Sequence, residues 1–276
     1  MVIEGLGMYL MFGGAMATAG IVAGIVAGLL GVGGGIILVP VLFYLFTLLD
    51  IDPAIRMHLA VGTSLATVVI TAITSTRAHW PRGTIDTALL RSWAPWMILG
   101  AIAGMVFFGK VNSPTLTLIF ATVALIVAFY MAWAKERDVA LASTLPEGPA
   151  RYGLGTVIGG VSAVMGIGGG TLCVPILSLF RYPIRQAVGT SAAIGLLIAV
   201  PGSIGAVIAG YGHPSLPPFS FGYVNLLGFI LLVPLTAGLA PLGARIAHSI
   251  NQQHLRYAFA LFLLITSVNM YAMVLL

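Results

Sequence analysis

Charged side chains are scarce in this chain: they make up 7% of its 276 residues, whereas 59% are hydrophobic. Soluble domains carry roughly 25% charged residues. The uncharged stretches reach the ~20 residues that a helix needs to cross a bilayer core. This composition excludes a soluble globular domain. It predicts an all-α polytopic membrane protein whose surroundings are the lipid bilayer.

Cysteine and clustered basic residues are also missing. Cys173 is the single cysteine, so no disulfide can form within the chain. The 12 Lys and Arg residues are scattered beside apolar stretches and form no consecutive basic run. We therefore expect no nucleic-acid partner, and we interpret the net charge of +5 as a signal of membrane topology.

Carboxylates are absent from the middle of every apolar stretch. The seven acidic residues are Glu4, Asp50, Asp52, Asp86, Glu136, Asp138 and Glu147. No carboxylate follows Glu147, although five arginines do. A cation site or a proton relay inside a membrane normally needs a buried Asp or Glu. The sequence therefore favours an anionic or neutral solute over a cation.

The chain contains two copies of one unusual motif. Gly-Val-Gly-Gly-Gly-Ile-Ile-Leu-Val-Pro at 31–40 recurs as Gly-Ile-Gly-Gly-Gly-Thr-Leu-Cys-Val-Pro at 166–175. Val-Gly-Thr-Ser follows at 61–64 and again at 188–191. The sequence therefore divides into a first repeat at 1–134, a charged cytoplasmic linker at 135–151 and a second repeat at 152–276.

Basic residues distinguish two topologies for these repeats. If each glycine motif lies in a simple spanning helix, six basic residues fall on either face, which gives no orientation. If each motif is a broken or re-entrant helix beside three transmembrane helices, the repeats are inverted. One face then keeps only Arg56 and Lys110, and the other ten basic residues share the opposite face.

The second arrangement satisfies the positive-inside rule. It predicts two inverted repeats, with the loops at 77–91, 135–151, 181–185 and 245–254 in the cytoplasm. The loops at 50–56, 110–113 and 211–218 then lie outside, and both termini are periplasmic. Non-helical backbone at membrane depth must line protein or a wet cavity, so the two glycine motifs are expected to meet near the midplane.

Three consecutive glycines before a helix suit an anion. Helix N-termini carry unpaired N–H groups and a partial positive charge, and glycine permits close approach and positive φ. The alternative is simple helix packing, which we assign to Gly24 and Gly104. The predicted substrate-binding glycines are Gly33, Gly34 and Gly35 with Gly168, Gly169 and Gly170, joined by Thr171.

Hydroxyls and basic residues follow each motif on the next helix. Thr63 and Ser64, with Thr190 and Ser191, lie two to three turns into their helices, where they could donate to an oxyanion. The alternative is a bond to their own backbone. Arg56, His58 and Arg185 sit at the mouths of these helices as candidates for attraction or gating, although snorkelling is the common role of such residues.

Other chemistry finds no support in the sequence. Ile36 and Thr171 replace the third glycine of a dinucleotide fingerprint, and no Gly-Lys-Ser/Thr exists for a phosphate-binding loop. Asn225 and Asn269 are interpreted as polar residues inside spans that bond to neighbouring helices. We expect no metal, no organic cofactor and no catalytic residues.

At these motifs the chain resembles the sulfite exporter TauE/SafE family of bacterial membrane transporters. The resemblance covers 10–276 and includes Leu-Arg-Tyr-Ala-Phe at 255–259. It implies a secondary transporter that exports a small sulfur-containing anion, such as sulfite or sulfoacetate, across the inner membrane. An anion channel, or an importer of another small organic or inorganic anion, is the alternative. The oligomeric state stays open, with a homodimer as the expectation.

Overall fold

The computed structural model describes residues 14, 17, 18, 20–25, 34–133, 144–247 and 252–275. The helices of the first half in this part of the chain are α1 Gly35–Leu48, α2 Pro53–His79, α3 Thr87–Phe108 and α4 Ser113–Trp133. Those of the second half are α5 Gly148–Met165, α6 Gly170–Ser178, α7 Ile184–Gly210, α8 Leu226–Ala247 and α9 Gln252–Leu275. A 3₁₀ turn, Trp80–Arg82, follows α2, and an antiparallel hairpin of β1 Ser220–Phe221 and β2 Val224–Asn225 precedes α8.

The architecture is that of an all-α polytopic membrane protein, as the composition predicts. Five helices among the described residues are long and apolar enough to cross a membrane: Pro53–Arg82, Thr87–Phe108, Ser113–Trp133, Ile184–Gly210 and Tyr257–Leu275. Large apolar side chains spaced three or four residues apart stay exposed, for example Ile204 with Ile208 on α7 and Ile265 with Val268 on α9. These faces suit contact with lipid rather than water.

Two acidic residues fix the starts of long helices. Asp52 precedes α2 and its Oδ1 accepts a hydrogen bond from the N–H of Ala54 at 2.9 Å, with Pro53 in the first helical turn. Asp86 precedes α3 and its Oδ1 accepts from Ala88 and Leu89, both at 2.9 Å. These are ordinary N-caps, which explains why carboxylates occur at the ends of the spans.

The helices pack as corresponding pairs around α2 and α7. These two helices pack against each other, α1 lies against α2, α6 lies against α7, and α4 packs along α9. The apolar stretch of α2 is 72% buried, against 33% for that of α9, so α2 is central and α9 peripheral. Residues of α2 and α7 therefore line much of the interior of the bundle.

Glycines let α3 and α5 touch through their backbones. A Cβ on Gly104 would lie 2.6 Å from the carbonyl oxygen of Gly160, and a Cβ on Gly100 would overlap the carbonyl oxygen of Thr156. Gly24 packs in the same way, since its Cβ would lie 2.9 Å from the Cα of Thr236. The packing role assigned to these glycines from their spacing agrees with this geometry.

The connecting loops gather at two ends of the bundle. At one end, His58 Nε2 lies 2.9 Å from the carbonyl oxygen of Val111, and the side chain of Asp52 bonds to Ser215. At the other end, Tyr182 donates a hydrogen bond to Asp86 Oδ2 at 2.5 Å. The second contact joins the loops at 77–91 and 181–185, which simple spanning helices would place on opposite faces.

Candidate functional site

The second glycine motif breaks one apolar segment into two helices. α5 ends at Met165, α6 begins at Gly170, and Gly166, Gly168 and Gly169 have φ angles of 73°, 59° and 82°. Residues with a Cβ adopt such left-handed angles at a cost of about 1–2 kcal/mol each. Three glycines in this turn therefore have a conformational reason to be glycine. The broken helix corresponds to the prediction for this repeat.

The first glycine motif meets the second one. Gly34 has a φ of 77° and α1 begins at Gly35, while Gly33 lies outside the described residues. A Cβ on Gly35 would lie 2.6 Å from both the carbonyl oxygen of Gly166 and the Cα of Ile167. The start of α1 therefore lies directly against the turn that precedes α6.

Both helix starts present backbone donors without a side-chain cap. Neither Gly34 nor Gly169 can offer a capping atom, and the earliest amides bonded inside the helices are those of Ile37 and Leu172. The N–H groups at 35, 36, 170 and 171 consequently have no acceptor within their own helix. Each helix also directs the positive end of its dipole at this region.

Thr63 and Thr190 each hold the start of a helix in the other half. Thr63 Oγ1 accepts from the N–H of Asn225 at 2.9 Å, and Thr190 Oγ1 accepts from the N–H of Asp86 at 2.9 Å. A shift of 127 residues relates the two threonines, and a shift of 139 relates Asp86 to Asn225. The two bonds are thus equivalent contacts that cross between the halves in opposite directions.

Asn225 corrects one expectation from the sequence. It lies in β2 at the start of α8 rather than inside a span, and its Oδ1 accepts from the N–H of Gly228 at 2.8 Å. The hairpin ends at Asn225, directly before α8. A Cβ on Gly62 would overlap the carbonyl oxygen of Tyr223, so α2 packs closely against that hairpin. Asn225 therefore plays the capping part that Asp86 plays in the first half.

The predicted serines and Thr171 fall into two groups. Ser64 is fully buried and its Oγ donates to the carbonyl oxygen of Gly166 at 2.8 Å, so it holds the second glycine turn against α2. Ser191 and Thr171 are 0% and 3% exposed, and neither hydroxyl has a hydrogen-bond partner among the described residues. Buried polar atoms are usually paired, so these two hydroxyls, unpaired among the described residues, are candidates to bind a ligand.

Ser162 was missed by the sequence reasoning. It is fully buried four residues before Gly166, and its hydroxyl also lacks a partner within the described ranges. A single serine in a helix rich in Gly, Val and Ala carries no pattern that separates a buried face from a lipid-facing one. Its position just before a predicted glycine break was the only usable signal.

The three predicted gating residues have different surroundings. The guanidinium of Arg56 donates to the carbonyl oxygen of Ile51 through Nη2 at 2.7 Å and through Nε at 3.1 Å. His58 is 4% exposed and packs between the rings of Phe108 and Tyr223. Arg185 is exposed at the first turn of α7. Of the three, Arg185 alone is exposed and has no hydrogen bond to a described residue.

A hydrogen-bonded cluster lies at the end of the bundle opposite Arg56. The bond from Tyr182 and the N–H groups of Leu89 and Ala88 lower the pKa of Asp86. Burial, followed by the bond to Asp86, raises the pKa of Tyr182. Asp86 therefore stays ionised near neutral pH and holds Tyr182 protonated. In the part of the chain that the structure describes, no three His, Cys, Asp or Glu side chains are grouped to hold a metal.

Removing the hydroxyl of Thr63 or Thr190 is expected to lower stability. Thr63→Val and Thr190→Val keep the side-chain shape but leave the N–H of Asn225 or Asp86 without its acceptor, which costs about 1–3 kcal/mol. Thr63→Val should cost more, because Asn225 is buried whereas Asp86 is partly exposed. The measurement is the unfolding free energy in mixed detergent. The control is Thr47→Val, whose Oγ1 donates to the carbonyl oxygen of Phe43 in its own helix. Equal stability of all three variants would contradict the expectation.

Comparison with known proteins gives a consistent result. The sequence model of the family described as Sulfite exporter TauE/SafE matches residues 16–270. A probable membrane transporter protein of Haemophilus influenzae is 34% identical over 252 residues, covering 91% of this chain and 95% of the relative. One from Methanocaldococcus jannaschii is 28% identical over 253 residues, covering 87% and 88%. No solved structure matches the chain.

Proposed function

We propose that this chain, which belongs to the sulfite exporter TauE/SafE family, exports a small sulfur-containing anion across the bacterial inner membrane. Its family and its spanning helices make it a multi-pass membrane transporter. The proposal adds the substrate, sulfite or an organosulfonate such as sulfoacetate, the outward direction, and a secondary mechanism without a cofactor.

The observation that carries the proposal is that the uncapped start of α1 packs against the turn that leads into the uncapped start of α6. The start of α1 lies against the turn before α6: a Cβ on Gly35 would lie 2.6 Å from the carbonyl oxygen of Gly166. Backbone N–H groups and helix dipoles of this kind bind anions in many proteins, and broken helices serve the same purpose in secondary transporters. The anion would bind at Gly33, Gly34, Gly35, Gly168, Gly169 and Gly170.

Buried hydroxyls complete the proposed site. Thr171 and Ser191 supply buried donors with no partner in the described residues, and Ser162 offers a third. Thr63, Ser64 and Thr190 would instead hold the glycine turns and helix starts in place, as their hydrogen bonds suggest. In a different conformation Ser64 could exchange the carbonyl oxygen of Gly166 for a substrate oxygen.

The sign of the substrate charge follows from the acidic residues. Every carboxylate within the described ranges lies in a loop or at a helix start, at Asp50, Asp52, Asp86 and Glu147. A cation in the bundle would therefore lack a counter-charge. An anion needs none, because the N-termini of α1 and α6 provide partial positive charge.

The two halves are proposed to be inverted repeats with the basic end in the cytoplasm. The contact between Tyr182 and Asp86 and the paired bonds of Thr63 and Thr190 support this arrangement. With an inside-negative potential, export of one negative charge gains roughly 2.3 kcal/mol per 100 mV. The exporter could then work without a coupling ion.

Flux through reconstituted protein tests the proposal. We expect saturable transport of sulfite or sulfoacetate, compared with sulfate, thiosulfate, taurine and short carboxylates. In inside-out membrane vesicles the anion should accumulate when added at the basic end. Unitary currents in single-channel recordings would identify a channel instead. Saturable flux of an organic cation, with no response to any oxyanion, would refute the anion assignment.

A further inference from the structure

A cavity lies at the basic end of the bundle, apart from the glycine turns. It has a volume of about 390 Å³, is open to the surface, and is bordered by three segments: the first two turns of α3, residues 144–151, and the loop at 180–183. Small-molecule sites typically measure about 300–1,000 Å³ and combine apolar walls with a few polar groups. This cavity therefore has the size of a binding site for a small organic molecule.

Two arginines, Arg151 and Arg181, are among the residues that line the cavity. Neither Arg151 nor Arg181 forms an ion pair with any described residue, although Glu147 also lines the cavity. Arg151 Nε is shielded from solvent and has no hydrogen-bond acceptor within the described ranges. An unpaired buried donor on a charged group is unfavourable. An acceptor oxygen arriving in the cavity would remove that cost.

The cavity lining also contains apolar and aromatic residues. Trp93 is 2% exposed and Leu89 is 7% exposed, and Phe180 also belongs to the lining. Inorganic ions gain nothing from such a surface, whereas the hydrocarbon part of an organic anion does. The lining thus contains both arginines that could pair with a charged head group and apolar residues that could contact a hydrocarbon body.

We propose that this cavity binds an organic anion whose sulfonate or carboxylate head pairs with Arg151 and Arg181 while its apolar body lies against Trp93. Guanidinium groups bind such oxygens through two parallel hydrogen bonds. The site is distinct from the proposed transport site and stands whether or not that proposal holds.

The cavity also adjoins hydrogen bonds between the two halves. Tyr182 lines it and donates to Asp86 Oδ2 at 2.5 Å, and the N–H of Asp86 donates to Thr190 on α7. An anion bound beside Tyr182 would therefore lie next to the hydrogen bonds that connect the start of α3 to α7. Occupancy should raise the thermal stability of the protein by mass action.

Calorimetric titration of the purified full-length protein with benzenesulfonate tests the site. The uncharged analogue benzenesulfonamide has nearly the same shape and should not bind. Arg151→Gln and Arg181→Gln should each weaken benzenesulfonate binding about tenfold or more, because each removes a charge-assisted hydrogen bond. The matched control is Arg91→Gln, which removes an exposed charge from the start of α3 outside the cavity.

The result can separate this site from the glycine turns. Gly169→Ala should keep benzenesulfonate affinity within about twofold of the wild type, even where it abolishes transport. Four outcomes would overturn the site: no saturable binding at millimolar concentration, equal binding of benzenesulfonamide, wild-type affinity in both arginine variants, or loss of binding in Gly169→Ala. Thermal denaturation of each variant confirms that a lost signal is not lost folding.

Discussion

Gly34→Ala and Gly169→Ala are each expected to abolish saturable anion transport, while Gly238→Ala keeps wild-type flux. Gly34 and Gly169 have φ angles of 77° and 82° directly before α1 and α6. Alanine there costs about 1–2 kcal/mol in backbone strain, and a Cβ on Gly169 would lie 2.6 Å from Ile198 Cδ1. The Ile198 side chain can turn away, so the backbone strain dominates, and its relief is expected to shift the turn and the amides at 170 and 171 with it.

Control substitutions at two other glycines distinguish loss of the binding site from loss of folding. Gly238 lies in α8 with nothing within 4 Å of its Cβ position, so Gly238→Ala tests substitution alone. Gly104→Ala should lower stability, since its Cβ would lie 2.6 Å from the carbonyl oxygen of Gly160, yet the folded fraction should bind anion normally. Flux and affinity are compared at equal amounts of folded protein. Normal affinity in both turn variants, together with reduced affinity in Gly104→Ala, would show that the turns are packing elements.

Much of the fold could be predicted because its signals are local. The low charge and the apolar stretches of bilayer length follow from physics that acts on each segment separately. The glycine break could also be predicted, because three consecutive glycines disfavour a continuous helix and because the motif occurs twice. The predicted pieces at 153–165 and 171–180 correspond to α5 at 148–165 and α6 at 170–178.

The roles of the hydroxyls could not be predicted, because their partners are remote in sequence. Thr63 bonds to a backbone N–H 162 residues away, and Thr190 to one 104 residues away. The bonding atom is a main-chain group, so the identity of Asn225 or Asp86 carries no sign of it. Thr-Ser duplication indicated that these positions matter, and it left open whether they contact a ligand or hold a helix start.

The cavity at Arg151 and Arg181 was equally invisible in the sequence. Both arginines were assigned to topology, which is a sufficient explanation for basic residues beside membrane spans. Their neighbourhood depends on how the chain around 144–151 folds back over α3. Residues 30 positions apart meet there only because α5, α6 and the following loop return to the same end of the bundle.

Gly100→Ala is expected to destabilise the protein by about 3 kcal/mol, whereas Gly153→Ala should stabilise it slightly. Alanine favours a helix over glycine by about 1 kcal/mol at either position. A Cβ on Gly153 meets nothing within 4 Å, so that gain survives in α5. A Cβ on Gly100 would overlap the carbonyl oxygen of Thr156, a backbone atom that no rotamer change can move.

The clash at Gly100 outweighs the helical gain because it acts on a whole interface. Overpacking a close-packed contact typically costs 1–3 kcal/mol, occasionally more. α3 and α5 must separate here, and the backbone contacts at Gly104 with Gly160 and at Gly159 with Met97 are lost together. Unfolding in mixed detergent measures both variants against the wild type. Opposite signs are expected for the two substitutions, and a Gly100→Ala protein as stable as Gly153→Ala would mean that the two helices are not held in backbone contact.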